Sequence, residues 1–187
     1  MKNRCAWVSE DSLYKTYHDT EWAVPVFDDK ILFEFLVLES FQAGLSWITI
    51  LKKRENFREA FYGFDYDKIA QFDDSKITEL LHNTDIIRHR KKIEAAINNA
   101  QRFIEIKGRH GSFSNYIWQF VDNKPIINHW KSITEVPATT DLSDLIAKDL
   151  KQKRFKFLGS TTVYAYLQAV GIVNDHTLNC FCHPNNL

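Results

Sequence analysis

Apolar residues recur at helical spacing from one end of this chain to the other, and that repeat limits what it can fold into. In "KKIEAAINNAQRFIEIKG", Ile93, Ile97, Ala100, Phe103 and Ile104 fall on one helical face, and the spacing predicts a helix that stops at Gly108. Asp28 or Asp29 is placed to cap a helix carrying Ile31, Leu32, Phe35, Leu36 and Leu38. "QAGLSW" interrupts that run before a second helix passes through "ITILKKRENFREAFYGF", with Gly63 as its stop. "LSDLIAKDLKQKRF" repeats the pattern through Leu142, Leu145, Ile146 and Leu150. Alternating strand patterns bounded by turns are scarce, so the expected fold class is mainly α. The stretch "VDNKPIINHWKSITEVPATTD", with Pro125 and Pro137, reads as an ordered connection between helices, and no repeat of fixed period is present.

At 187 residues the chain fits one domain, or two small lobes sharing a core, and can bury its apolar surface without staples. Its 24 Lys and Arg balance 24 Asp and Glu, so no field of one sign draws the whole molecule to DNA or to an anionic membrane. Any nucleic-acid site must therefore be local. No stretch has the apolar length of a bilayer span or a signal peptide, so the chain reads as cytosolic, with no membrane partner. Three cysteines without a secretory signal fit reduced thiols or metal ligands better than a disulfide framework.

Near the C-terminus, "NDHTLNCFCHP" sets His176 four residues before Cys180, a spacing that on a helix puts both on one face. "CAWVSEDSLYKTYHDTEW" adds Cys5 and His18, giving a Cys₂His₂ set suited to tetrahedral Zn²⁺, with Cys182 and His183 as rival ligands. The competing reading is buried thiols and surface histidines. Four protein ligands would close the site and make it structural, because a catalytic metal keeps a position for water.

A second constellation is aromatic: Trp7, Tyr14, Tyr17, Trp22 and Trp47 surround one carboxylate, Glu39, which breaks the apolar run "FLVLESFQAGLSWITIL". Glu39 is either a satisfied buried acid within a core or part of a pocket for a flat cationic ring, which aromatic faces and a desolvated carboxylate both attract. The basic run "RHRKK", Arg88 to Lys92, and the cluster "KQKRFK" ending at Lys156 are solvated faces or phosphate contacts.

In order along nearly the whole chain, "CAWVSEDSLYKTYHDTEWAVP", "LESFQAGLSWITILKKRENF", "IIRHRKKI", "KRFKFLGSTTVYAYLQAVGIVNDH" and the His176/Cys180 pair resemble the 3-methyladenine DNA glycosylase I family. The resemblance implies a compact helix-hairpin-helix glycosylase fold, one domain over residues 1–187, with a single structural zinc joining the N- and C-terminal segments. By position, Cys5, His18, His176 and Cys180 match the zinc ligands, leaving Cys182 and His183 outside. Glu39 matches the pocket carboxylate and Tyr17 an adjacent base-contacting aromatic, together the catalytic pair. Trp47 matches the residue that stacks on the excised base, with Trp7, Tyr14 and Trp22 around it. Gly44 and Leu45 match a loop entering the DNA gap, and Arg88 and Lys91 are candidates for phosphate contacts.

The implied activity is flipping and hydrolytic release of 3-methyladenine from alkylated double-stranded DNA, as a cytoplasmic monomer yielding the free base and an abasic site. The alternative is a zinc-stapled DNA-binding module without catalysis. Four positions depart from the family pattern. Ala23 stands where relatives usually carry Gly, and is expected to affect the backbone beside Trp22. Phe41 replaces a commonly polar residue, with an expected effect on pocket or DNA-facing shape. Asp85 and Lys91 lie where the hairpin often has glycines, so close backbone approach to phosphate is not assumed.

Overall fold

A computed structural model describes residues 2–186, and its architecture is helical. Helix α1 (Ser12–Thr20) begins where the Asp11 carboxylate accepts from the Leu13 amide. Helix α2 (Asp29–Gln42) is capped by Asp28, which accepts from the Lys30 and Ile31 amides. Asp29 does something else: its carboxylate accepts from the backbone amides of Phe113 and Ser114, at the start of α7 (Phe113–Trp118). Every residue of α2 from Leu32 to Phe41 is buried, so this helix is the centre of the molecule rather than an amphipathic one on its surface.

Helix α3 (Trp47–Ala60) ends three residues before Gly63, which sits instead in a following 3₁₀ turn, Tyr62–Phe64, at φ +65°. Two short helices, α4 (Tyr66–Ile69) and α5 (Asp74–His82), lead to the long α6 (Arg90–His110). The expected stop at Gly108 is passed by: α6 runs two residues further, and Gly111, at φ +81°, terminates it. Helix α8 (Asp141–Gln152) follows the proline-containing connection, and Leu145, expected on its buried face, is 54% exposed. Helix α9 (Ser160–Ala169) completes the set.

The connection is ordered, as its sequence suggests, by a short parallel pairing of β1 (Ile126–Ile127) with β2 (Val173–Asn174) that periodicity did not reveal. One apolar core contains residues from Cys5 to Cys180, with rings of Phe33, Phe103 and Phe113 in succession at centroid separations of 5.1 and 4.2 Å. Among the described residues no helix is long and apolar enough to cross a membrane.

Two backbones meet behind α1 without intervening side chains. A Cβ added to Gly171, at φ +71°, would lie 2.3 Å from the Val24 carbonyl carbon. The Ala23 amide donates to the Gln168 carbonyl and the Val26 amide to that of Val170, each at 3.0 Å. Ala23 itself adopts φ +63°, the left-handed region that favours glycine, which locates the departure read from the sequence in the backbone beside Trp22.

Candidate functional site

Cys5, His18, His176 and Cys180 come together in the interior, all four buried, with one donor atom from each lying within 4.8 Å of the others. Cys5 precedes α1, His18 is on it, and the other two follow β2. The His176/Cys180 spacing works through a turn, not a helix, in which the Cys180 amide donates to the Thr177 carbonyl at 2.8 Å. Cys180 Sγ stands 3.4 Å from His18 Nε2 and 3.4 Å from His176 Nδ1, and Cys5 Sγ is 3.5 Å from His176 Nδ1. The second ring nitrogens are occupied: His18 Nδ1 meets Asp19 Oδ1 at 2.8 Å, and His176 Nε2 meets the Trp22 carbonyl at 3.3 Å. Arg4 fixes Asp19 in turn.

The Cys180 thiol is pulled down by its hydrogen bond with Cys5 and then by the two imidazoles, while that same bond pushes Cys5 up. A thiolate with two imidazoles and a second sulfur, in a buried group with oriented outer partners, has the composition of a closed site that could hold a metal ion. Neither rival belongs to the four. Cys182 is half-buried, its thiol pushed up to about 12, chiefly by burial, and His183 Nε2 faces the Asn128 carbonyl at 3.1 Å.

Beside the cluster lies a cavity of about 420 Å³ lined by all six residues of the aromatic constellation: Trp7, Tyr14, Tyr17, Trp22, Glu39 and Trp47. Helix α1 sends adjacent residues in two directions, Tyr17 to the cavity and His18 to the cluster. The rings pack in two groups, with centroids 5.0 Å apart for Trp7–Tyr14 and Trp7–Trp22, and 5.5 Å for Tyr17–Trp47.

Glu39 is 4% exposed and its Oε2 has no hydrogen-bond partner among the described residues, so the satisfied-acid reading does not hold. Burial lifts its carboxyl to about 8. The Tyr17 hydroxyl is held well above the ordinary tyrosine value by burial and then by Glu39, and Tyr14 is raised by the same two causes. Trp47 Nε1 is likewise buried without a partner, so the wall contains one unmatched acceptor and one unmatched donor.

Asp175 is the site residue that sequence reasoning missed. It lines the same cavity at 1% exposure, yet its carboxylate accepts from Asn128 Nδ2, Trp130 Nε1 and Gln168 Nε2, each at 2.7 Å, and from the Tyr164 hydroxyl at 2.5 Å. The cavity therefore contains two carboxylates in opposite surroundings, one fully matched and one not.

On the cavity side of α3, Gly44 has φ +84° and open space around it, and Leu45 is 40% exposed, so this turn projects from the surface. Phe41 does not shape it: its ring is fully buried against Phe57 and Phe61, a correction to the expected effect on the pocket. Arg88 and Lys91 are exposed at the α5–α6 connection, as are Asp85 and Arg90, whereas Lys92, last of the basic run, is buried. In the second basic cluster Lys153 is tied to Asp149.

The methyladenine glycosylase family model matches residues 7–183. DNA-3-methyladenine glycosylase 1 of Escherichia coli (strain K12) is 46% identical over 183 residues, covering 98% of each chain. A crystal structure of 3-methyladenine DNA glycosylase I (TAG) superimposes with a TM-score of 0.95 at 50% identity, covering 97% of this chain and all of that one. The TAG of Staphylococcus aureus, solved for the structural basis of its 3-methyladenine recognition, superimposes at 0.94 with 42% identity, covering 98% and 97%.

Proposed function

The chain belongs to the methyladenine glycosylase family, and we propose that it serves base-excision repair as a monofunctional N-glycosylase. It flips and hydrolytically releases 3-methyladenine from alkylated double-stranded DNA, leaving an abasic site. The observation that carries this reading is Glu39: a buried carboxyl whose Oε2 has no partner among the described residues, in a cavity walled by aromatic rings. A DNA-binding module without catalysis, the alternative, has no use for such a group.

Methylation of the third ring nitrogen makes the base cationic while it is attached to the sugar, so its glycosidic bond is weak and it departs neutral. Acid catalysis at the leaving group is then of small consequence. What the protein must supply is extrusion, placement and discrimination. Extrusion costs a few kcal/mol, least at a damaged base. In the cavity the cationic ring meets aromatic faces, with Trp47 stacking on it, an attraction of about 0.5–2 kcal/mol.

Glu39 adds the charge test. Its carboxyl keeps its proton up to about pH 8 in the empty site, and an adjacent cation favours the ionised form, which accepts a hydrogen bond from the base edge. Intact adenine is neutral and does not draw that proton off, so the ion pair does not form, and its glycosidic bond is stronger. Tyr17 borders Glu39 and Trp47, where it contacts the base and keeps water from the carboxylate. Water attacks the sugar as, or after, the bond breaks.

The four-residue cluster fits zinc. Zn–S bonds of about 2.3 Å and Zn–N bonds of about 2.0–2.1 Å at tetrahedral angles separate sulfur from nitrogen by about 3.5 Å. The separations here are 3.4, 3.4 and 3.5 Å. Cys5, His18, His176 and Cys180 would hold the ion and leave no position for water, so it would supply cohesion between the two ends of the core. The α5–α6 unit is the helix-hairpin-helix, with Arg88 and Lys91 toward phosphate and Gly44–Leu45 entering the gap left by the flipped base. The working form is a cytoplasmic monomer of one domain, residues 1–187.

The test is chromatographic identification of the base released from methylated DNA. Wild type releases free 3-methyladenine, whereas Glu39→Ala, with folding and metal content unchanged, releases it at a small fraction of that rate. An unchanged rate in Glu39→Ala removes it from the site, and release of no base at all overturns the activity.

A further inference from the structure

The basic run Arg88–Lys92 divides by direction. Arg88 and Lys91 face solvent, but Lys92 is 6% exposed and its pKa is lowered by burial. Among the described residues no carboxylate pairs with it: its Nζ donates to the carbonyls of Phe41 at 2.8 Å and Ala43 at 2.9 Å. Those carbonyls belong to the end of α2 and the residue after it, where helix geometry leaves acceptors unpaired and a positive charge is favoured. Lys92, on the first turn of α6, thus closes the end of a different helix.

Helix α3 crosses the same gap in the reverse direction. Lys53 Nζ donates to the carbonyls of Asp85 at 3.0 Å and Thr84 at 3.4 Å, and Asn56 Nδ2 reaches the Asp85 carbonyl at 3.3 Å. The Gly44–Leu45 turn and the α5–α6 connection are therefore cross-tied, each held by a side chain from the element that adjoins the other. Little else restrains the turn. The space where a Gly44 side chain would lie is open, Leu45 is exposed, and among the described residues the side-chain and turn ties are the Leu45 amide on the Gln42 carbonyl and Ser46 with Thr49.

We infer that Lys92 is a positioning residue for base extrusion: by gripping the Phe41 and Ala43 carbonyls it sets the Gly44–Leu45 turn at a fixed distance from the phosphate-facing hairpin. It acts through Leu45 and touches neither base nor sugar. A loosely placed wedge occupies the duplex for less of the time in the productive geometry, so the rate on duplex DNA falls while the cavity is untouched. The inference rests on the reading of Gly44–Leu45 as the segment that enters DNA.

A double-mutant cycle separates the two. Excision from a lesion-bearing duplex is measured for Lys92→Met, Leu45→Ala and the combination, with affinity for free 3-methyladenine from tryptophan fluorescence as the control. Lys92→Met is expected to bind the free base within about twofold of wild type, to lose about tenfold in kcat on duplex, and to add no further loss in the Leu45→Ala background. Lys92→Arg, which keeps the charge and donors, recovers part of the rate, and replaces Lys92→Met in the cycle if that variant fails to bind the free base. A full duplex rate without Lys92, or losses that multiply in the double variant, overturns the inference. If Leu45→Ala itself excises normally, the underlying reading of the turn fails instead.

Discussion

The indole of Trp22 stands edge-on to the imidazole of His176, ring centroids 4.7 Å apart and planes at 87°, so a residue of the cavity wall rests directly on a residue of the Cys/His cluster that could hold a metal ion. Trp7 makes the same kind of contact with His18 at 5.2 Å. The cluster is thus the backing of the cavity.

It follows that Cys180→Ala lowers base affinity without touching the base. The variant loses its metal, drops in stability by about 3 kcal/mol or more, and binds free 3-methyladenine more weakly because Trp7 and Trp22 lose their support. Elemental assay, calorimetry and fluorescence titration measure the three effects. Retention of both metal and stability ends the zinc assignment.

Glu39 gives stability a pH dependence of defined sign. Below about pH 4.5 the carboxyl is protonated whether the chain is folded or not, and its burial carries no charge penalty. As pH rises toward about 8 the unfolded chain gives up the proton and the folded chain keeps it, so stability falls, by several kcal/mol in all. Glu39→Gln should therefore match wild type near pH 4.5 and exceed it near pH 8.5 in urea unfolding. Wild type gaining on the variant as pH rises would show the carboxylate to be stabilised as an anion.

Ala23 carries backbone strain in its left-handed conformation at φ +63°. Ala23→Gly relieves it, and we expect a gain of about 0.5–1 kcal/mol, reduced by the greater freedom of glycine in the unfolded chain. For a protein of this size that raises Tm by about 1–4 °C. A fall in Tm would mean that the methyl group, 5% exposed among its neighbours, contributes more by packing than the strain costs.

Arg88→Gln and Lys91→Gln should each weaken binding to any duplex, damaged or not, and each reduce the slope of log affinity against log salt by about 1. Free-base binding stays the same. An unchanged slope in both variants would place the phosphate surface elsewhere, with the solvent-facing side chains of the second basic cluster next to be examined.

The helices were legible because each leaves a local mark: Asp28 before α2, the stripe from Ile93 to Ile104 on α6. Stops were less so. Gly108 and Gly111 look alike in sequence, and only the latter has the backbone conformation that ends a helix. The aromatic cavity and the buried Cys/His cluster were legible through their residue types and the family pattern.

Asp175 was not, although it adjoins His176, because its four donors come from positions 128 to 168 and nothing local shows a carboxylate whose partners are that distant. Lys92 was hidden for the opposite reason. Its neighbours in a charged run suggest a solvated surface, and only packing against the end of α2 turns it inward.

The direct meeting of Gly171 with Val24 makes one side of the active site a fixed jaw. Chain lies against chain there with no side chain to act as a cushion, and the wall bearing Trp22 is seated as firmly as the core behind it. If Gly44–Leu45 is the segment that enters DNA, accommodation falls to the nucleotide, because Lys92 holds the opposite jaw in place as well. The molecule is then built like a jig: the workpiece is bent to suit a frame that does not give.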